Sequence, residues 1–159
     1  MKKSHLKKIV VNIGLGKLRS ISGFEDKILP EVMKEVALIT GQKPAPRAAK
    51  KSIAGFKTRE GDIVGLQTTL RGKRMQDFFI RLISFVLPRV KDFRGLPLRN
   101  VDHAGNLNIG FKDQLVFPEI VAEKSKANFG LQVTVVTDIK NREKAIDFYK
   151  SVGVPLQSK

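Results

Sequence analysis

Apolar and polar residues change their spacing several times along the chain, and each change predicts an element. In residues 7–14 (KKIVVNIG) Ile9, Val11 and Ile13 alternate onto one face of a β-branched strand. Asn12 falls on the opposite face with Val10. Across residues 25–40 the period lengthens, and Ile28, Leu29, Val32, Met33, Val36 and Ile39 recur at helical spacing with Gly41 as a stop. Alternation returns in residues 63–71. Residues 75–90 then form the most apolar stretch, with Phe78, Phe79, Leu82, Ile83, Phe85, Val86 and Leu87 predicted as a main core helix that Pro88 ends or kinks. Two alternating runs around a turn at 104–106 predict a hairpin over 101–112, and 114–120 reads as a short extended piece. Residues 130–138 (GLQVTVVTD) are the clearest strand. A helix at 141–151 closes the chain, capped by Asp138 or Asn141 and packed through Ala145, Ile146, Phe148 and Tyr149.

Strands and helices thus alternate without the regular repeat of a doubly wound fold. The expectation is an α+β single-domain sandwich, mostly antiparallel sheet, with helices packed on one face and the other face free to bind. No linker or repeat divides the chain, so residues 1–159 are read as one domain carrying a mobile basic loop at 47–60.

Composition sharpens that reading. Thirty Lys and Arg against fifteen Asp and Glu give a net charge of +15, and the pI near 10.3 points to a polyanionic partner. No apolar run approaches the roughly eighteen residues of a membrane span, and the first strand begins before a signal-peptide core has room to form, so an intracellular protein with no membrane partner is expected. Cysteine is absent, which excludes disulfides and thiolate metal sites. His5 and His103 belong to no ligand or triad pattern, so neither a metal nor a cofactor is expected. The turn GLGKLRS after the first strand lacks both the third glycine of a dinucleotide fingerprint and the spacing of a P-loop.

The basic residues are segregated. Residues 1–20 hold six Lys and Arg with no acid, while residues 47–59 carry Arg47, Lys50, Lys51, Lys57 and Arg59 with one aromatic, Phe56. That loop has too little apolar surface to offset its ordering entropy, and it leads into a polar strand ending on Arg71, Lys73 and Arg74. Phosphate neutralisation requires such a face. DNA recognition helices and zinc spacings are missing, and Gln67, Thr68 and Thr69 suit hydrogen bonds to a structured RNA.

The stretches KIVVNIGLG, LITGQKP, AKKSIAGFKTREG, TLRGKRM, LPRVKDFRGL, GNLNIGFKDQLVFPEI and LQVTVVTD, in that order, resemble the universal large-subunit ribosomal protein that binds 5S rRNA, protein five of the large subunit. The resemblance covers nearly the whole chain from Lys8. It implies a structural, non-enzymatic component of a bacterial or organellar ribosome that binds 5S rRNA and large-subunit rRNA in the central protuberance. By matching motif, Asn12, Gln42 and Thr69 would recognise 5S rRNA with Lys43 and Arg71 beside phosphates. The loop bearing Arg47, Lys50, Lys51, Phe56, Lys57 and Arg59 would reach the P-site tRNA, and residues 100–119 would face small-subunit protein thirteen in the small-subunit head. Bacterial members usually begin with a helix ahead of the first strand. This sequence starts almost at the strand, so that helix's contacts are not carried over.

Two other classes compete. An RNA-acting enzyme would need Glu60, Asp62 or Asp113 as clustered acids, and no such spacing is visible. A general RNA chaperone would bind unrelated RNAs equally well.

Overall fold

The computed structural model describes residues 5–52 and 58–158. Strands β1 (Leu6–Gly14), β2 (Ala45–Ala48), β3 (Ile63–Leu70), β4 (Leu107–Phe111) and β5 (Leu131–Thr137) form one sheet in the order β2-β3-β1-β5-β4. Every neighbouring pair is antiparallel, so the long β1 lies at the centre between β3 and β5. Helices α1 (Leu29–Thr40), α2 (Gly72–Arg81) and α3 (Arg142–Ser151) complete the α+β architecture. Among the described residues, no helix is long and apolar enough to cross a membrane.

Strand alternation sorts the sheet into two faces. Ile9, Val11 and Ile13, Leu66 and Leu70, Leu107 and Ile109, and Leu131, Val133 and Val135 all point into one core, which they share with Val32, Val36, Phe78, Leu82 and Tyr149 from the helices. Burying each large apolar side chain there contributes about 1.5–3 kcal/mol. The opposite face carries Lys8, Val10, Asn12, Gln67, Thr69, Asn108, Gln132 and Thr134, and of these only Val10 is buried.

α1 begins after a wide π turn at Phe24–Ile28, with Pro30 in its first turn where no intrahelical N–H is needed. It ends at Gly41, whose left-handed φ of 76° lets its N–H reach the Ala37 carbonyl at 2.8 Å. α3 is capped by Asn141, whose Oδ1 accepts from the Lys144 N–H at 3.0 Å. Asp138, the other expected cap, instead meets the His5 ring at 2.8 Å.

Four expectations are corrected. The core helix runs as α only to Arg81 and continues through a π turn at Leu82–Val86 and a 3-10 turn at Leu87–Arg89. The wider turn rotates Phe85 off the apolar face, leaving it 59% exposed instead of in the core. The 101–112 hairpin reduces to a single bridge, Val101 to Leu107, because β4 finds its ladder on β5 and the residues before Val101 coil into a 3-10 turn. Gln114–Val116 is a 3-10 turn, not extended, since the Asp113 carboxylate accepts the Leu115 N–H at 2.9 Å. Finally, Arg47 and Ala48, read as loop, lie in β2, where main-chain pairing with β3 needs no apolar side chains.

Gly105 marks a tight crossing. Its φ is 83°, and a Cβ there would stand 2.0 Å from the Ile139 carbonyl oxygen. The buried Tyr149 hydroxyl donates to the Gly105 carbonyl at 2.7 Å, tying α3 to the loop before β4. Burial pushes the Tyr149 phenol well above its ordinary value.

Candidate nucleic-acid interface

Register makes the open face of the sheet an ordered array. One row runs Ala45, Gln67, Asn12, Gln132, Gly110 across β2, β3, β1, β5 and β4. The neighbouring row runs Thr69, Val10, Thr134, Asn108. Asn12 and Thr69 are therefore diagonal neighbours, a spacing of about 7 Å. Amides and hydroxyls at every second position both donate and accept, which matches the mixed donors and acceptors of ribose 2′-hydroxyls and base edges. Asn108 and Thr134 bond each other at 2.9 Å, while Asn12, Gln67 and Gln132 make no side-chain hydrogen bond among the described residues. Gly14, Gly65 and Gly110 share this face and keep it low enough for close backbone approach.

Gln42 joins this array from outside the sheet. The Thr40 hydroxyl donates to the Val36 carbonyl at 2.8 Å and lies 2.9 Å from the Gln42 carbonyl, holding the turn after α1. The Gln42 side chain then donates through Nε2 to the Thr69 carbonyl at 3.0 Å and accepts from Arg74 at 3.3 Å. Of the three residues predicted to act together, Gln42 and Thr69 are joined by this bond, and Asn12 lies diagonally from Thr69 on the same face of the β1–β3 pair. Lys43 and Arg71 flank them, exposed and without an acidic partner among the described residues.

Arg47 stands opposite Gly65 on the open-face side of β2. Beyond it, Lys50 and Lys51 are exposed, and Arg59 lies on the returning arm; Phe56 and Lys57 fall outside the described residues. The base of this loop is clamped. The Asp62 carboxylate accepts the Arg59 N–H at 2.8 Å and pairs with Arg19 at 2.5 Å, and Arg19 also reaches the Thr58 hydroxyl at 3.4 Å. The Arg59 N–H, followed by the Arg19 guanidinium, holds the Asp62 carboxyl below its ordinary value.

Family models cover the chain in two parts: the model described as "Ribosomal protein L5" matches residues 1–59, and the model of the same ribosomal family's C-terminus matches residues 63–156. The chain belongs to the ribosomal protein L5 family. That family is structural and non-enzymatic. The chain is similar to large ribosomal subunit protein uL5 of Fusobacterium nucleatum, 45% identical over 96% of this chain and 81% of the relative. It is also similar to uL5 of Halothermothrix orenii, 42% identical over 94% and 82%, and to uL5 of Malacoplasma penetrans, 45% identical over 94% and 78%.

Within this family's fold the structure adds residues that sequence reasoning passed over. Gln132, Thr134 and Asn108 extend the polar array across β5 and β4. Their alternation was visible in LQVTVVT and LNIGF, but the pairing of β1 with β5 that aligns them was not. Thr68, read with Gln67 and Thr69 as RNA-facing, turns the other way: it is 1% exposed in the core, and its hydroxyl has no partner among the described residues. The three acids considered for catalysis are dispersed. Asp62 is tied to Arg19, Asp113 caps a 3-10 turn, and Glu60 is exposed with its N–H on the Ser52 hydroxyl. Among the described residues, no group of three or more His, Asp and Glu side chains is arranged to hold a metal.

Proposed function

We propose that this family member is a structural component of the large ribosomal subunit that binds 5S rRNA through the open face of its sheet. The observation that carries the reading is the two-row array around Asn12, Gln67, Thr69 and Gln132, whose amides and hydroxyls, unpaired among the described residues, lie between Lys43 and Arg71 at one end and Arg47 at the edge. Neutral groups with both donors and acceptors give selectivity, and the cations around them give affinity. Asn12, Gln42 and Thr69 hydrogen-bond the RNA, while Lys43 and Arg71 neutralise its phosphates. The relatives' shared name, large ribosomal subunit protein uL5, supports the large subunit as the assembly. In this reading the protein sits in the central protuberance on 5S and large-subunit rRNA.

The basic loop has a second role in this reading. Arg47, Lys50, Lys51 and Arg59, with Phe56 and Lys57, contact the P-site tRNA, and the clamp at Asp62 sets the direction in which the loop leaves the sheet. Residues 100–119 face the small-subunit head and its protein thirteen.

A competition gel shift between 5S rRNA and excess tRNA at physiological salt tests the central claim. The expected outcome is a preference for 5S rRNA of about a hundredfold or more, in keeping with a specific complex. Equal competition would leave a sequence-tolerant RNA chaperone as the better description.

A further inference from the structure

Charge is unevenly placed along the open face of the sheet. The register of Ile9 with Leu70 sets Lys8, on the open side of β1, beside Arg71, whose extended backbone (φ −138°, ψ 161°) carries the alternation of β3 one step further. The exposed Lys43 is drawn to the same end by the bond from Gln42 to the Thr69 carbonyl. Among the described residues none of these three cations has an acidic partner. Four residues further along their strands, about 13 Å away, Asn12 and Gln67 share a neutral row with Gln132. None of the five strands contains an Asp or a Glu. A cationic rim and a neutral reading surface are therefore separate parts of one face.

The same face has no stacking platform. Phe111, the one aromatic residue of the five strands, is buried on the core side. Splayed, unpaired bases are ordinarily held by stacking on aromatic rings, which this face does not supply. Paired RNA presents a different surface. Its minor groove is wide and shallow and displays 2′-hydroxyls and base edges between two phosphate rims, whereas its major groove is too deep and narrow for side chains to read. A 2′-hydroxyl both donates and accepts, as do the amides of Asn12, Gln67 and Gln132 and the hydroxyls of Thr69 and Thr134.

We infer that the open face reads the shallow minor groove of a double-helical segment of the RNA. Asn12, Gln67 and Gln132 face the sugars and base edges, and Lys8, Lys43 and Arg71 hold the phosphates of one strand. The inference rests on the reading that the open face binds 5S rRNA, and it adds which surface of that RNA is taken.

The test joins hydroxyl-radical footprinting of transcribed 5S rRNA on the full chain to filter binding over a KCl series around 0.15 M, roughly physiological ionic strength. Protected riboses are expected on both strands of a paired stem, with unpaired loops left open to cleavage. Converting those stem riboses to 2′-deoxy is expected to weaken binding of the parent chain at least tenfold. The same RNA should cost Asn12→Ala with Gln132→Ala less than threefold further, because that variant has already lost the readers. Lys8→Gln with Arg71→Gln is expected to lower the magnitude of the slope of log K against log salt by about two, one for each lost phosphate contact, and to remove protection from one strand only. The Asn12 and Gln132 pair should leave that slope unchanged. Protection confined to unpaired nucleotides, or full affinity for the 2′-deoxy stem, overturns the inference and keeps the open face as the RNA site. Equal competition by tRNA, with undiminished binding by the Asn12 and Gln132 pair, removes the underlying reading as well. Thermal melts check that each variant is folded, and Arg71→Gln alone, with a slope change of about one, replaces the cation pair if the half-buried Lys8 proves structural.

Discussion

Two sets of side-chain amides in this molecule have opposite fates. Gln114 is fully buried, and its amide is saturated: Nε2 lies 2.7 Å from the Ala127 carbonyl, 2.9 Å from Ser125 Oγ and 3.2 Å from Glu35, while Oε1 accepts the Phe129 N–H at 3.1 Å. Asn12 and Gln132 stand exposed at the middle of the sheet with no side-chain partner among the described residues. The same functional group serves the fold in one place and remains available to a ligand in the other. Burial separates the two cases, because a buried amide without partners is costly whereas an exposed one is satisfied by water until something displaces it.

The comparison is broken most severely on the buried side. Gly105→Ala forces a Cβ into the Ile139 carbonyl at a left-handed position, and it is expected to cost on the order of 4 kcal/mol from strain and overpacking, read as a lowered denaturation midpoint. Gln114→Leu leaves the buried Phe129 N–H without its partner. A loss of about 3 kcal/mol in stability is expected, with RNA affinity measured on the folded fraction unchanged. On the exposed side the expectation inverts. Asn12→Ala and Thr69→Ala should each weaken 5S rRNA binding by about 1–2 kcal/mol while moving stability by less than about 0.5 kcal/mol. Equal effects on stability and affinity in either set would erase the distinction.

A finer test uses Thr68, which sits between the two classes as a buried hydroxyl without a partner among the described residues. Thr68→Val replaces it with a methyl of nearly the same shape and is expected to stabilise the fold by about 1 kcal/mol without altering RNA binding.

The smallest expected effect concerns the loop clamp. Because the folded Asp62 carboxyl titrates below its ordinary value of 3.8, its contribution is complete above that pH and is lost as pH falls through the lower folded value. Hydrogen exchange at the Arg59 amide, followed down to that range, should show protection declining in the parent chain. In Asp62→Asn the protection should be weaker throughout and lack that acid-dependent step. The same substitution should reduce tRNA contact and spare 5S rRNA binding, because the clamp positions the loop and leaves the sheet face untouched.

Much of this was legible in residue order alone. The period-2 runs at β1, β3 and β5 and the helical period of α1 carried the element types, since one buried face requires a regular apolar spacing whatever the partner. Gly41 and Asn141 marked helix ends through their own conformational and hydrogen-bonding preferences. Other features depend on what lies across from a residue, and spacing along one segment is silent about that. β2 exists because β3 offers it a ladder, although all four of its residues are exposed. Phe85 faces solvent because one π turn changed the angular step behind it. The assembly of Asn12, Gln67 and Gln132 into one row depends on the register of β1 against both neighbours. Local chemistry in the sequence thus determined the elements, their ends and the excess of positive charge. Only the tertiary structure decided which polar groups were buried and satisfied and which were left facing a partner, because that outcome is set by long-range pairing, which brings together residues as far apart as Asn12 and Gln132.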